Sequence, residues 1–101
     1  MTTLHRLPIF DADLVEIWLH VAEHDPIAAD RLIDRLVARL DILEQHPKAG
    51  QARPEIASDC RQLVEDPVLI LYRCTETGVE LVRARYRGWP VSQDDFQDRD
   101  A

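Results

Sequence analysis

The 101-residue sequence contains one lysine, two cysteines, four histidines and no long apolar run. Each scarcity removes a class of function. A helix that crosses a bilayer needs about 18 or more apolar residues in succession, and no stretch here approaches that, so no membrane partner is expected. The opening Met1-Thr2-Thr3-Leu4-His5-Arg6 lacks the basic and then apolar regions of a secretion signal, which points to a cytoplasmic protein. In that compartment Cys60 and Cys74 are expected as buried thiols, and a disulfide is open to them only if the strands that carry them pair in register. His5, His20, His24 and His46 fall on separate predicted elements, so neither a metal nor another cofactor is expected. With Lys48 the sole lysine, a formal net charge of -7 and a pI near 4.9, the surface is not built to grip nucleic acid over its whole extent. Repeats and low-complexity segments are absent, and the length suits one domain with one core.

What is present begins with Pro67-Val68-Leu69-Ile70-Leu71-Tyr72-Arg73. An aliphatic run closed by a tyrosine, with a proline before it and Thr75-Glu76-Thr77-Gly78 after it, reads as a strand. Val68, Ile70 and Tyr72 point one way and Leu69 and Leu71 the other, so the strand lies mid-sheet and both of its faces need cover. Charge is unevenly spread. Residues 1–50 carry five Lys/Arg against nine Asp/Glu, residues 51–91 balance six against six, and residues 92–101 carry one against four. Within the balanced middle the arginines crowd late, at Arg73, Arg83, Arg85 and Arg87, which makes a local basic patch on an acidic molecule.

In chain order, Leu4 to Ile9 is a short strand candidate that Pro8 restricts to a strand end. Asp11 stands where a helix N-cap belongs, Asp13 adds negative charge to a first turn, and Leu14, Ile17, Trp18 and Val21 follow at helical spacing. Trp18 is expected to fill the core between helices and sheet, and the helix should end near His24. Asp25-Pro26 then caps and starts a second helix, whose apolar face is Ala29, Leu32, Ile33, Leu36, Val37, Leu40 and Leu43. Arg31, Arg35 and Arg39 recur every fourth residue on its outer side, a like-charge run that an acidic partner, or Asp30 and Asp34, would offset. His46-Pro47-Lys48-Ala49-Gly50 stops the helix. Three strand candidates follow, Arg61 to Glu65, Val68 to Cys74 and Val79 to Tyr86, joined by links short enough for an antiparallel meander. Residues 91–101 read as an acidic tail after a single domain spanning 1–90.

The predicted fold is therefore α+β: an N-terminal strand, then a helical hairpin on one face of a small antiparallel sheet, in the order β-α-α-β-β-β. The hairpin roofs only one face. Trp89 and Phe96 can shield part of the other, and what they leave uncovered around Leu69 and Leu71 would be an exposed apolar patch of the kind that marks a protein contact.

The helical hairpin, then Pro47-Lys48-Ala49-Gly50-Gln51-Ala52-Arg53-Pro54-Glu55-Ile56, Asp59-Cys60-Arg61-Gln62-Leu63, Ile70-Leu71-Tyr72-Arg73 and Val79-Glu80-Leu81-Val82-Arg83 together resemble the ParE branch of the RelE/ParE superfamily of bacterial toxins, a family of plasmid-stabilisation toxins. The resemblance covers about nine tenths of the chain, in order and with similar spacing. It implies a toxin of a type II toxin–antitoxin system, wrapped in a hetero-oligomer by a ParD-like ribbon-helix-helix antitoxin, that inhibits DNA gyrase by protein–protein binding without direct contact to nucleic acid. Tyr86 falls where family members often place a histidine.

Residues expected to receive the antitoxin or the target are Arg61, Leu69, Leu71, Arg73, Arg83, Arg85, Tyr86, Arg87 and Trp89. The rival reading is a RelE-like, ribosome-dependent mRNA endonuclease. It needs cations for a phosphorane and a group that moves the 2'-hydroxyl proton, for which Arg61, Arg73, Arg83 and Tyr86 are the residues of the right type. An acidic chain with one lysine is poorly charged for docking on a ribosome. Arg73, Arg83 and Arg85 also have a bland alternative, simple pairing with Glu80, Glu65 or the acidic tail.

Overall fold

The computed structural model describes residues 2–96. Strand β1 (Thr3–Arg6) leads directly into helix α1 (Pro8–Ala22), and helix α2 (Pro26–Gln45) turns back against it. Strands β2 (Gln51–Ala52), β3 (Arg61–Glu65), β4 (Val68–Cys74) and β5 (Gly78–Tyr86) follow, and a single 3-10 turn (Gln93–Phe96) closes the described chain.

The strands form one five-stranded sheet in the order β1-β5-β4-β3-β2. The expected meander of β3, β4 and β5 is antiparallel throughout. The sheet as a whole is mixed, however, because β1 pairs parallel to β5 through Thr3 opposite Gly78 and Leu4 opposite Val79. The helical hairpin carries the chain from β1 at one edge to β2 at the other, and the meander then returns to β1. Gly78 permits that final approach, since a Cβ there would overlap the Thr3 carbonyl.

Helix α1 starts four residues earlier than the Asp11 cap predicts. Pro8 occupies its first turn and Leu7 is extended at φ -68 and ψ 149, as a residue before proline prefers, so the proline ends the strand and starts the helix at once. The earlier start adds Phe10 to the buried stripe with Leu14 and Ile17. Trp18 is not in the core. It is half-buried, and its indole nitrogen donates to Asp30 Oδ1 at 2.8 Å, which ties the two helices together. Helix α2 begins as expected, with Pro26 in the first turn and Asp25 Oδ1 accepting from the amides of Ile27 and Ala28 at 3.1 Å.

Two apolar clusters lie on the two faces of the sheet. On the helix face, Phe10, Leu14, Ile17, Leu32, Leu36, Leu40 and Leu43 pack on Leu63, Val68, Ile70, Tyr72, Val79, Leu81 and Ala84. On the far face, Leu71 and Val82 are buried beneath Ile56, Cys60 and Phe96. The far face is thus closed by the chain's own loop before β3 and by the 3-10 turn, and the exposed apolar sheet expected around Leu71 does not exist. Leu71 is fully buried, and Leu69 is half-buried at the edge of the same cluster. Within the acidic tail Ser92, Gln93 and Asp94 are exposed but Phe96 is packed, at 1% exposure, and residues 97–101 lie outside the described residues.

Tyr72 binds the loop after α2 to the centre of the sheet. Its hydroxyl donates to the Pro47 carbonyl at 2.8 Å and accepts from the Gly50 amide at 2.8 Å. Gly50 must be glycine for that approach, because a Cβ would lie 2.6 Å from the Gln62 carbonyl and 2.7 Å from the Tyr72 ring. Burial pushes the phenol upward, so it acts as a neutral donor at physiological pH. Both cysteines are free thiols. Arg61 is paired with Tyr72, which brings Cys60 level with Arg73 rather than with Cys74.

Candidate partner-binding surface

Beyond its pairing with β1, strand β5 carries an irregularity that decides where the arginines point. Tyr72 is opposite Leu81 while Leu71 is opposite Arg83, so Val82 is an extra residue, a β-bulge. Strict alternation from Val79 and Leu81 would send Arg83 and Arg85 under the helices. The bulge shifts the pattern by one, so Ala84 takes the helix face while Arg83 and Arg85 come opposite Leu71 and Leu69. Arg73, opposite Glu80, lies in the same row. Three guanidinium groups therefore gather on the far face, beside the apolar cluster capped by Phe96.

Their partners are internal. Asp13, buried on α1, takes both Arg83 Nε at 2.7 Å and Arg83 Nη2 at 3.1 Å, a two-pronged charge-assisted contact. The same carboxylate accepts from the Ala84 amide at 3.0 Å. It thereby satisfies a backbone donor of β5 that lies past the end of β1. Asp95, from the 3-10 turn, receives Arg85 Nη2 at 2.6 Å and Arg83 Nη1 at 3.4 Å. Burial works to raise the Asp95 carboxyl, but the Ser92 amide and the two guanidinium groups outweigh it and hold the group below the usual carboxylate range. Arg73 donates from Nε to Glu80 Oε1 at 2.7 Å and stacks over the Phe96 ring with its guanidinium carbon 5.4 Å from the centroid. Two donors in this cluster, Arg73 Nη1 and Arg85 Nε, are buried with no hydrogen-bond partner among the described residues.

The other residues singled out from the sequence are dispersed. Arg61 points into the loop after α2, where Nη1 donates to the carbonyls of Gly50 at 2.7 Å and Lys48 at 3.3 Å. Tyr86 lies toward the helix face, its ring edge-on to His20 at 4.8 Å and tilted against Trp89 at 5.8 Å. Arg87 is exposed and pairs with Asp66. Trp89 packs against the helix-face cluster and also lines a shallow groove with Leu69, Pro67 and Val91. The sequence reading missed Asp13 as the centre of the arginine network. Its position in the buried helical stripe, between Phe10 and Leu14, was the available signal.

A family model described as the ParE toxin of the type II toxin–antitoxin system parDE matches residues 7–88. The chain belongs to the ParE toxin family. Among solved structures, a chain of the chromosomal ParDE toxin–antitoxin system from P. aeruginosa is similar to this ParE-family chain with a TM-score of 0.74. The likeness covers 86% of this chain and 97% of that one at 23% identity, and so concerns the fold. No curated protein matches the chain. The hairpin, the loop between α2 and β3 and strands β2 to β5 fall inside the matched span, whereas β1 precedes it and the 3-10 turn that delivers Asp95 and Phe96 follows it. Among the described residues, no helix is long and apolar enough to cross a membrane.

Proposed function

We propose that this ParE-family chain acts in the cytoplasm as a toxin that arrests growth by binding DNA gyrase, and that a ParD-like ribbon-helix-helix antitoxin neutralises it by wrapping it. Membership of the family supports the toxin–antitoxin reading. The observation that favours binding over RNA cleavage is the placement of the groups cleavage would need. Catalysis on a phosphodiester requires cations and a proton carrier converging on one accessible point. Arg73 and Arg83 are buried on the far face against Glu80 and Asp13, Arg61 serves the loop after α2, and Tyr86 stands with His20 and Trp89 toward the helices. The four do not meet.

With the far face closed by Phe96, the antitoxin needs further apolar surface to engage. Val15 and Leu19 offer it one helical turn apart on the outside of α1, at 58% and 56% exposure, and Val64 offers it on β3 at 49%. Expression of the chain alone and with the protein encoded beside it tests the pairing, with arrest expected in the first case and relief in the second. Purified toxin is then expected to inhibit supercoiling by gyrase and to leave cell-free translation intact. Blocked translation with cut messenger RNA and normal supercoiling overturns the gyrase reading.

A further inference from the structure

We propose that the far-face site now filled by Asp95 and Phe96 is a docking site for an acidic–aromatic segment of a partner polypeptide, and that residues 92–96 are its internal occupant. The inference rests on the toxin–antitoxin reading in one respect, that the partner supplying the segment is the antitoxin.

Three features define the occupant. The floor is apolar, formed by Leu71, Val82, Ile56 and Cys60, and it holds one aromatic ring, Phe96. Arg73 lies over that ring, so the site favours an aromatic side chain over an aliphatic one of equal volume. Next to the ring, the charges require an anion. Arg73, Arg83 and Arg85 face Glu80, Asp13 and Asp95, and removing Asp95 leaves the buried group one negative charge short. Whatever replaces the turn must therefore bring a carboxylate beside an aromatic ring.

The internal occupant also leaves the site incompletely satisfied. The Arg73 side chain is 6% exposed, yet among the described residues its Nη1 has no acceptor and Arg85 Nε in the same cluster has none either. Buried donors without partners are costly, so a segment offering one more acceptor than Ser92–Phe96 binds better contact for contact. The turn itself is short and joins the site through few residues. It is a single 3-10 turn, and Asp95, Phe96 and the contact of Gln93 with the Glu55 carbonyl at 3.1 Å are its main attachments. Its advantage is that it is tethered, which amounts to an effective concentration of about millimolar order. A partner segment carried on a larger interface has the same advantage and displaces it.

The test uses the full-length chain and a labelled hexapeptide of its own sequence, Val-Ser-Gln-Asp-Asp-Phe. Binding is measured to the unaltered chain and to the double variant Asp95→Asn/Phe96→Ala, whose fold is checked by circular dichroism. The peptide is expected to bind the variant at least about tenfold more tightly than the unaltered chain, since only the variant lacks the tethered competitor. A control peptide with Asn and Ala at its last two positions is expected to lose that binding. Equal binding of the two peptides, or no binding to a folded variant, overturns the proposal.

Hydrogen exchange on the unaltered chain covers the case in which the variant does not fold. Amides of residues 92–96 are expected to lose protection at least about tenfold when the neighbouring protein is bound, as the turn opens locally. Undiminished protection in a formed complex rejects the docking site and leaves the toxin–antitoxin pairing standing. If the neighbouring protein does not bind at all, the pairing fails, and hydrogen exchange with excess hexapeptide, expected to open the same amides, still decides the site.

Discussion

Asp13 is the hub of the charged network, because from the second turn of α1 its one carboxylate meets a strand amide and two arginines. Removing one partner of a buried ion pair strands the other, at a cost of about 3–5 kcal/mol. Asp13→Ala is expected to lose stability of that order in urea melts. Asp11→Ala, which removes only an exposed pair with Arg6, should cost less than about 1 kcal/mol. The same reasoning makes Arg83→Ala with Arg85→Ala a destabilising combination, since it leaves buried Asp13 with only the Ala84 amide. At Cys60, burial raises the thiol to about 11 despite the nearby Arg53, so the reactive thiolate is scarce at neutral pH. Peptide mapping after iodoacetamide treatment at about pH 8 should find Cys60 unmodified in the folded chain and modified in denaturant. Fast labelling in the folded state would show that the far-face cluster opens readily.

The elements are joined by a few specific ties, and two are accessible to experiment. Tyr72 holds the loop after α2 through one hydroxyl with two backbone partners. Tyr72→Phe keeps the packing and leaves a buried amide and carbonyl unsatisfied, for an expected loss of about 1–3 kcal/mol in denaturant unfolding. A loss near zero would mean that water replaces the hydroxyl. The 3-10 turn is tied through Asp95, whose carboxyl is lowered in the folded chain. A lowered carboxyl contributes stability that is present above its unfolded value and lost as pH falls through the folded one. Unfolding free energy is therefore expected to fall as pH drops below about 4, and Asp95→Asn should flatten part of that dependence. An unchanged profile in the variant would show that the turn is held by Phe96 alone.

Across the whole molecule, an acidic chain pairs its clustered arginines internally instead of presenting them. The expectation that follows is weak association with duplex DNA. In an electrophoretic shift at physiological salt, binding tighter than about 100 μM is not expected, since nonspecific affinity depends on exposed cations that release counterions. Retardation at low micromolar protein would show that the far-face arginines are available after all. Exposed apolar side chains instead sit on the outside of the helical hairpin, at Val15, Leu19 and Ile27. Helix α1 is apolar on its inner and outer sides, a pattern that suits a helix whose outer side meets another chain.

The sequence by itself determined the helical hairpin, the three meander strands and the two-sided character of β4. These are written in local periodicity and in the Asp25-Pro26 and Asp66-Pro67 punctuation, and local signals do not depend on distant contacts. It also carried enough pattern to place the chain in its family. The two-residue β2 was too short to show alternation, and the direction of β1 depends on a partner some 75 residues away. Only the tertiary structure decided what covers the far face and where the arginines point. A bulge of one residue reverses the side-chain parity of half a strand, and one phenylalanine in an acidic stretch has no periodicity to announce that it will be buried.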